Sequence, residues 1–260
     1  MIKKHYKLII FLLIIFTIFL IYKDNHINYF NYTSLGDGYA LGINSYGVEE
    51  YGYSDFIQER LRENNKLKLY TKSFAEKDQS INRLYESIVT NEKKIIDNTE
   101  RNIRQILRES DLVTLTIGLN DIIYQISITG NINEYQLNKI INQTEEDLTR
   151  LIKEIKQYYP KDLYVIGYPQ MPIENSYIKE GVKRLNQIYK KMENIIYIDT
   201  TNIIGYEDFL QPTCLYPGKK GYYKISEEVI KKLAKDKNNW YTNNASLITM
   251  TEKKSWRKER

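Results

Sequence analysis

Short runs of apolar and β-branched residues alternate along the chain with amphipathic helical segments, and this alternation constrains the fold most strongly. Residues 112–117 carry no charge, as expected of a central parallel strand that is covered on both faces. Further strands are predicted at residues 29–35, 66–71, 163–168 and 195–199. Because helices separate these strands, the sequence predicts an α/β fold, a three-layer α/β/α sandwich around a five-stranded parallel sheet.

The helices are predicted from apolar residues that recur every three to four positions. The clearest segment is 134–158, where Leu137, Ile141 and Leu148 lie on one face. A similar stripe predicts a helix over residues 94–108. Ser54 is a suitable N-cap residue for a helix that continues to about residue 64. The remaining helices are predicted at residues 80–89, 177–192 and 220–235.

The N-terminal segment is strongly apolar, since residues 8–22 carry no charge and follow Lys3, Lys4 and Lys7. This layout is typical of a signal peptide or an uncleaved signal anchor. Residues 22–26 lack the small side chains of a cleavage site, which favours a transmembrane anchor. A buried core helix is the other interpretation, but the run has no polar face. We therefore expect the basic end in the cytoplasm and the domain on the extracytoplasmic side.

The rest of the chain is predicted to form one domain, because it contains no internal repeat and no low-complexity linker. The expected organisation is an anchor with a short linker at residues 1–28, a folded domain at 29–237 and a polar tail at 238–260. The length of the middle segment is ample for a single hydrophobic core.

Composition excludes several kinds of function. The net charge of +5 is modest and arises partly from the two ends of the chain, so nothing indicates nucleic-acid binding. Cys214 is the only cysteine, which excludes an internal disulfide and a Cys/His zinc site. The 24 tyrosines accompany abundant Ile, Lys and Asn; all four have AT-rich codons, so we attribute the tyrosine content to gene composition. The only histidines, His5 and His26, precede the predicted domain.

Three separated segments share a pattern with one hydrolase family. Residues 34–42 read SLGDGYALG after the first strand, residues 117–121 read IGLND after a central strand, and residues 209–222 read FLQPTCLYPGKKGY before the last helix. Together they resemble the first, third and last motif blocks of the SGNH/GDSL hydrolases. The resemblance covers about residues 29–235. It implies a flavodoxin-like α/β/α sandwich with a five-stranded parallel sheet, and ester hydrolysis by a serine, a histidine and an acid.

The departures from the family pattern fall on the catalytic positions. Gly38 stands at the position of the nucleophilic serine, and Tyr216 stands at that of the histidine base. The acid that orients the histidine would lie at Thr213 or Cys214, and neither residue is acidic. The stretch that matches the second block, residues 74–78, has no glycine to contribute to an oxyanion hole. A phenol, with an ordinary pKa near 10, is a poor general base at neutral pH.

Other motif residues are unchanged. Asn120 matches the side-chain oxyanion donor, and Asp37, Gly118 and Asp121 also match. With Gly38 they define an expected vestigial ligand pocket. Asp37 and Asp121 are consistent with a carboxylate pair for a metal or for acid–base chemistry, or with the loop-holding role that the family gives such residues.

Two other residues offer alternatives. Cys214 is either a relocated nucleophile without an imidazole or a small buried hydrophobe. Ser34 lies on the strand and is predicted to be structural.

The sequence therefore predicts a membrane-anchored, extracytoplasmic domain that has lost its hydrolase machinery and needs no metal or cofactor. Its expected role is binding or assembly at the cell envelope, where the former catalytic cleft would recognise a glycan, an acyl group or a protein partner. An active esterase or carbohydrate deacetylase with relocated catalytic residues is the competing hypothesis. A structural subunit whose cleft is filled by side chains is the third.

Overall fold

The structure, a computed structural model, describes residues 10–17, 30–63, 67–130, 132–211 and 213–235. Residues 10–17 are helical, and the rest of the predicted anchor lies outside the described residues, as does the predicted tail. Among the residues that are described, no helix combines the length and apolar character needed to cross a membrane.

The strands, in chain order, are β1 (Phe30–Gly36), β2 (Leu67–Thr71), β3 (Lys93–Ile96), β4 (Thr99–Asn102), β5 (Leu112–Thr116), β6 (Leu163–Ile166) and β7 (Ile196–Ile198). Five of them form one sheet in the order β2-β1-β5-β6-β7, and every neighbouring pair is parallel. This confirms the predicted sheet. Strand β5 lies at its centre with all of its residues buried, which is the reason for its unbroken apolar and β-branched sequence.

The helices are α1 (Gly38–Leu41), α2 (Tyr53–Glu63), α3 (Ile81–Val89), α4 (Ile103–Glu109), α5 (Leu119–Thr129), α6 (Glu134–Tyr158), α7 (Ser176–Lys191) and α8 (Lys219–Lys235). Helix α2 packs against α8, while α6 contacts α3, α4, α5 and α7. Right-handed crossovers place these two groups on opposite faces of the sheet. The α/β/α sandwich is therefore confirmed.

Helix α6 has the bounds predicted from its periodicity, and its start is fixed by a capping box. The backbone N–H of Gln136 donates to Asn133 Oδ1 over 3.0 Å, and the Asn133 N–H donates to Gln136 Oε1 over 2.8 Å. Two N–H groups that lack a partner within the helix are thereby satisfied. The apolar stripe of α6 is buried, and the helix contacts α3, α4, α5 and α7.

The prediction of one helix over residues 94–108 is wrong in its first half. Strands β3 and β4 pair there as an antiparallel hairpin, and only Ile103–Glu109 is helical. Asp97 and Asn98 form the turn with φ angles of +49° and +59°. Aspartate and asparagine tolerate this left-handed region better than other non-glycine residues. The Asp-Asn pair therefore favours a two-residue hairpin turn over a continuous helix.

The predicted N-cap at Ser54 is also wrong, because Ser54 lies within the first turn of α2. Its hydroxyl donates to the Ala40 carbonyl over 2.9 Å and so ties α2 to α1. Helices α1 and α5, which periodicity does not predict, begin inside two of the sequence motifs, at Gly38 and Leu119. Both helices start at the carboxyl edge of the sheet, where α/β proteins bind ligands.

Candidate functional site

The motif segments meet at the carboxyl ends of β1 and β5, which are neighbours in the sheet. Asp37 and Gly38 follow β1, and Gly118 to Asp121 follow β5. The Asp37 N–H donates to the Thr116 carbonyl over 2.9 Å, which holds the two strand ends together. The topology therefore places these segments where the resemblance expects a catalytic site.

Asp37 is buried and fully engaged. Its carboxylate accepts hydrogen bonds from the Tyr39 N–H over 3.0 Å, from Thr116 Oγ1 over 2.9 Å and from the Tyr168 hydroxyl. Burial raises the pKa of Asp37 to about 7, against the lowering effect of these three donors. Because Asp37 also caps helix α1, its hydrogen bonds support the structural interpretation of this residue.

Gly38 and Tyr216 are in direct contact, although they are far apart in the sequence. A Cβ atom built on Gly38 would lie 2.6 Å from the Tyr216 hydroxyl oxygen and 2.6 Å from its Cε1 atom. The phenol ring therefore occupies the space into which a serine at position 38 would project. Tyr216 is only 7% exposed. Burial raises its pKa above the ordinary value, which makes the phenol still less able to act as a base.

Asn120 uses its amide to hold the loop after β2. Its Nδ2 atom donates to the Lys77 carbonyl over 3.1 Å and to the Gln79 carbonyl over 3.0 Å. A side-chain amide has only two N–H donors, so both are committed to the backbone. Glu76 in the same loop donates its N–H to the Gly36 carbonyl over 3.0 Å. The loop is thus fixed against β1 and β5, and the expected oxyanion donor is occupied.

Asp121 and Gly118 also have structural contacts. The Asp121 carboxylate accepts the Ile81 N–H at 3.1–3.2 Å and so caps helix α3. Burial raises the pKa of Asp121 to about 6. Gly118 has a φ of +100°, and a Cβ atom there would lie 3.3 Å from the Tyr189 hydroxyl. Glycine suits this tight, left-handed entry into α5.

Thr213 and Cys214 lie in the loop before α8 and form no catalytic pair. The Thr213 N–H donates to the Pro172 carbonyl over 2.7 Å. The Cys214 Sγ atom lies 2.8 Å from the Gln211 carbonyl oxygen and 3.3 Å from Ser45 Oγ. Among the residues that the structure describes, no imidazole accompanies this thiol, since His5 and His26 lie outside them. Within the described ranges, no three His, Cys, Asp or Glu side chains are grouped as metal ligands.

Four aromatic rings, here called the tyrosine cluster, fill the interior beside Gly38. The ring centre of Tyr39 lies 5.1 Å from that of Tyr168, 5.5 Å from that of Tyr216 and 5.9 Å from that of Tyr222. These distances are typical of favourable aromatic pairs. The cluster was not identifiable from composition. Tyr39, Tyr216 and Tyr222 nevertheless lie inside the motif segments, and their place in those segments was the signal that could have identified them.

The hydroxyl groups of the cluster tie together loops that belong to different motifs. Tyr39 donates to the Leu215 carbonyl over 2.7 Å, and Tyr222 donates to the Ile43 carbonyl over 2.6 Å. A buried phenol needs such a partner to offset its desolvation. The cluster therefore supplies both apolar packing and satisfied hydrogen bonds at the position expected for a cleft.

Comparison with known proteins assigns the fold. No protein-family model and no curated protein sequence matches the chain. Among solved structures, the lipase Lip_vut3 from a goat rumen metagenome is similar, with a TM-score of 0.62 and 16% identity over 78% of this chain and 96% of that one. A GDSL-like lipase from Parabacteroides merdae has a TM-score of 0.57 and 14% identity over 79% and 97%. The chain has the SGNH/GDSL hydrolase fold.

A third similar structure is a catalytic mutant of Axe2, an acetylxylan esterase from Geobacillus stearothermophilus, with a TM-score of 0.57 and 15% identity over 78% of this chain and 94% of that one. The motif residues of the present SGNH/GDSL-fold chain lie at the sheet edge expected from the resemblance. Asp37, Gly38 and Tyr216 lie together there, whereas Asn120 and Asp121 hold the neighbouring loop and helix.

Proposed function

We propose that this chain is a membrane-anchored, extracytoplasmic domain that binds or assembles with a partner at the cell envelope and does not hydrolyse esters. One observation carries the loss of activity: the Tyr216 ring fills the space beside Gly38. The two positions that would hold the nucleophile and the base instead hold a glycine and a ring packed against it. Removal of a catalytic triad costs on the order of 10⁶-fold in rate.

The occupied amide of Asn120 also supports this proposal. An oxyanion hole requires donors that are free to bind a developing negative charge. Here both N–H groups of Asn120 are bound to the loop backbone. The sequence suggested that the partner is recognised through the former catalytic cleft. Because the Tyr216 ring occupies the space beside Gly38, we propose instead that an envelope glycan, an acyl group or a protein partner is recognised elsewhere on the domain.

The test is hydrolysis of short acyl esters, such as 4-nitrophenyl acetate, together with labelling by a serine-directed phosphonate. We expect no turnover above the uncatalysed rate and no labelling. The variant Gly38→Ser with Tyr216→His is the matched control, because it restores two of the family residues while leaving Thr213 and Cys214 non-acidic. We expect little activity from it, since no acid orients the new histidine.

The alternative is an esterase or deacetylase with relocated catalytic residues, and the thiol of Cys214 beside Ser45 Oγ is the feature that favours it. Robust hydrolysis by the unmodified chain that is lost in Cys214→Ala would establish this alternative. That result would overturn the proposed loss of activity.

A further inference from the structure

A cavity of about 460 Å³ lies at the carboxyl ends of β6 and β7, between the loop after β6 and helix α7. Its volume is within the range of roughly 300–1,000 Å³ that small-molecule sites occupy. Tyr168 separates it from the Gly38 site, because this residue lines the cavity while its hydroxyl binds Asp37. The cavity is therefore distinct from the filled catalytic position.

The inner wall of the cavity is apolar and rigidly held. Met171, Ile173 and Val182 line it and are buried. Asn186 fixes the adjoining loop: its Oδ1 accepts the Tyr168 N–H over 3.0 Å, and its Nδ2 donates to the Tyr168 carbonyl over 2.7 Å. A wall of this kind is suited to the apolar part of a ligand, since binding requires little rearrangement.

The outer rim of the cavity is basic. Lys179, Lys183 and Lys190 of α7 all line it and are exposed. Lys179 and Lys190 form no ion pair with any carboxylate in the part of the chain that the structure describes. They are eleven positions apart, so their backbones are separated by about 16 Å along the helix. Positive charge therefore extends along the full side of the cavity.

The two carboxylates of the lining do not cancel this charge. Glu180 already pairs with Arg184 at 2.9 Å and with Lys183 at 3.3 Å. Asp199 accepts the Thr201 N–H over 2.9 Å and is the remaining acidic side chain of the lining. With Glu180 neutralised, the basic side chains of the rim outnumber the acidic ones.

We propose that this cavity binds a small amphipathic anion, whose apolar body lies against Met171, Ile173 and Val182 and whose carboxylate or phosphate lies against the lysines of α7. Apolar burial supplies affinity, and the basic rim selects for charge. The site is independent of the proposed loss of hydrolysis and of the anchor, because neither depends on these residues. Failure of one proposal therefore leaves the others standing.

The test is equilibrium dialysis of the full chain in phosphatidylcholine nanodiscs, with empty nanodiscs as the blank. The probes are hexanoate and hexyl phosphate, compared with hexanol, which lacks the charge, and acetate, which lacks the apolar chain. We expect saturable binding of both anionic hexyl probes, with a dissociation constant on the order of a millimolar or tighter. Hexanol and acetate should each bind at least about tenfold more weakly. The tighter of the two anions identifies the head group.

The variants Lys179→Gln and Lys190→Gln should each weaken hexanoate binding by about two- to fivefold, as expected of an exposed ion pair. Lys191→Gln is the matched control, because Lys191 is an exposed neighbour on the same helix that does not line the cavity. It should leave the affinity unchanged. The proposal is overturned if hexanoate does not saturate, if hexanol binds equally well, or if Lys191→Gln weakens binding as much as Lys190→Gln.

Discussion

At the scale of single residues, the ring of Tyr216 occupies space that is available only because residue 38 is a glycine. Gly38→Ala should lower the free energy of unfolding by about 1–3 kcal/mol, because the new methyl group would lie 2.6 Å from the phenol. In a Tyr216→Ala background the same substitution should be close to neutral. Urea unfolding of the four proteins in this double-mutant cycle measures the coupling. Additive effects would show that the ring does not fill this space.

Asp37 should make stability depend on pH. Burial raises its pKa from 3.8 to about 7 in the folded protein, so the folded state keeps a proton that the unfolded state releases. The contribution is fully present below about pH 4 and is lost as the pH rises to about 7, at up to about 1.4 kcal/mol per unit. Urea midpoints of Asp37→Asn should therefore fall less steeply with pH than those of the unmodified chain.

Asp121 also makes stability fall as the pH rises, so its contribution must be distinguished from that of Asp37. Its pKa is raised only to about 6, so its contribution ends at a lower pH. The difference between Asp37→Asn and the unmodified chain should therefore be clearest between about pH 6 and 7. Parallel profiles in that interval would contradict the role given to Asp37.

The positions of the motif residues in the fold were predictable from sequence, but their side-chain contacts were not. The motifs correctly located Asp37, Gly38 and Asn120 at the sheet edge, because each follows a recognisable strand. The ring of Tyr216 against Gly38 and the bonds of Asn120 to the loop backbone join segments that are distant in the chain. No local pattern encodes such tertiary contacts.

At the scale of elements, the hairpin of β3 and β4 shows why periodicity alone misassigned one segment. Ile96, Ile103 and Ile106 are buried and match a helical stripe, but they belong to a strand and a separate helix. Ile95 is another apolar residue of the stripe that predicted a helix over residues 94–108, and it is 67% exposed. The turn residues between the strands carry the decisive signal, because a left-handed pair of residues ends a helix and reverses the chain.

The left-handed conformation of Asn98 gives a direct test of this turn. Asn98→Val should destabilise the protein by about 1–2 kcal/mol, because a β-branched residue is strained at a φ of +59°. Asn98→Gly should be neutral or stabilising. Asn142→Val, at an exposed position in α6, is the control, since Asn and Val have similar helix propensities. Equal unfolding free energies for Asn98→Val and Asn98→Gly would rule out the turn.

At the scale of the whole molecule, the sequence predicts the arrangement of strands and helices better than it predicts which side chains fill the interior. Five strands alternating with helices, together with right-handed crossovers, leave few topologies, and the observed strand order is one of them. The abundance of tyrosine suggested only gene composition. The fold nevertheless buries Tyr39, Tyr168 and Tyr222 completely beside the candidate site. Amino-acid composition does not specify where residues lie, so the filled site requires the tertiary structure.

The proposed anchor concerns the relation of the whole chain to the membrane. Lys3, Lys4 and Lys7 before the apolar residues 8–22 favour an orientation with the basic end in the cytoplasm. In a bacterial cell, the full chain should sediment with membranes, and protease added outside should digest the domain. Ile14→Lys with Ile15→Lys should release the chain from the membrane fraction, because each charge costs about 2.5–3.5 kcal/mol at the centre of a spanning segment.

Tyr124→Lys provides the matched control for this charge, because Tyr124 is an exposed residue of α5 and lies far along the chain from the apolar segment. It should leave membrane association unchanged. Recovery from the medium of a mature chain that begins near Asn25 would instead show a cleaved signal peptide. If external protease did not digest the domain, the proposed orientation would be wrong. The domain would then lie on the cytoplasmic side, opposite to the side that the positive-inside rule assigns.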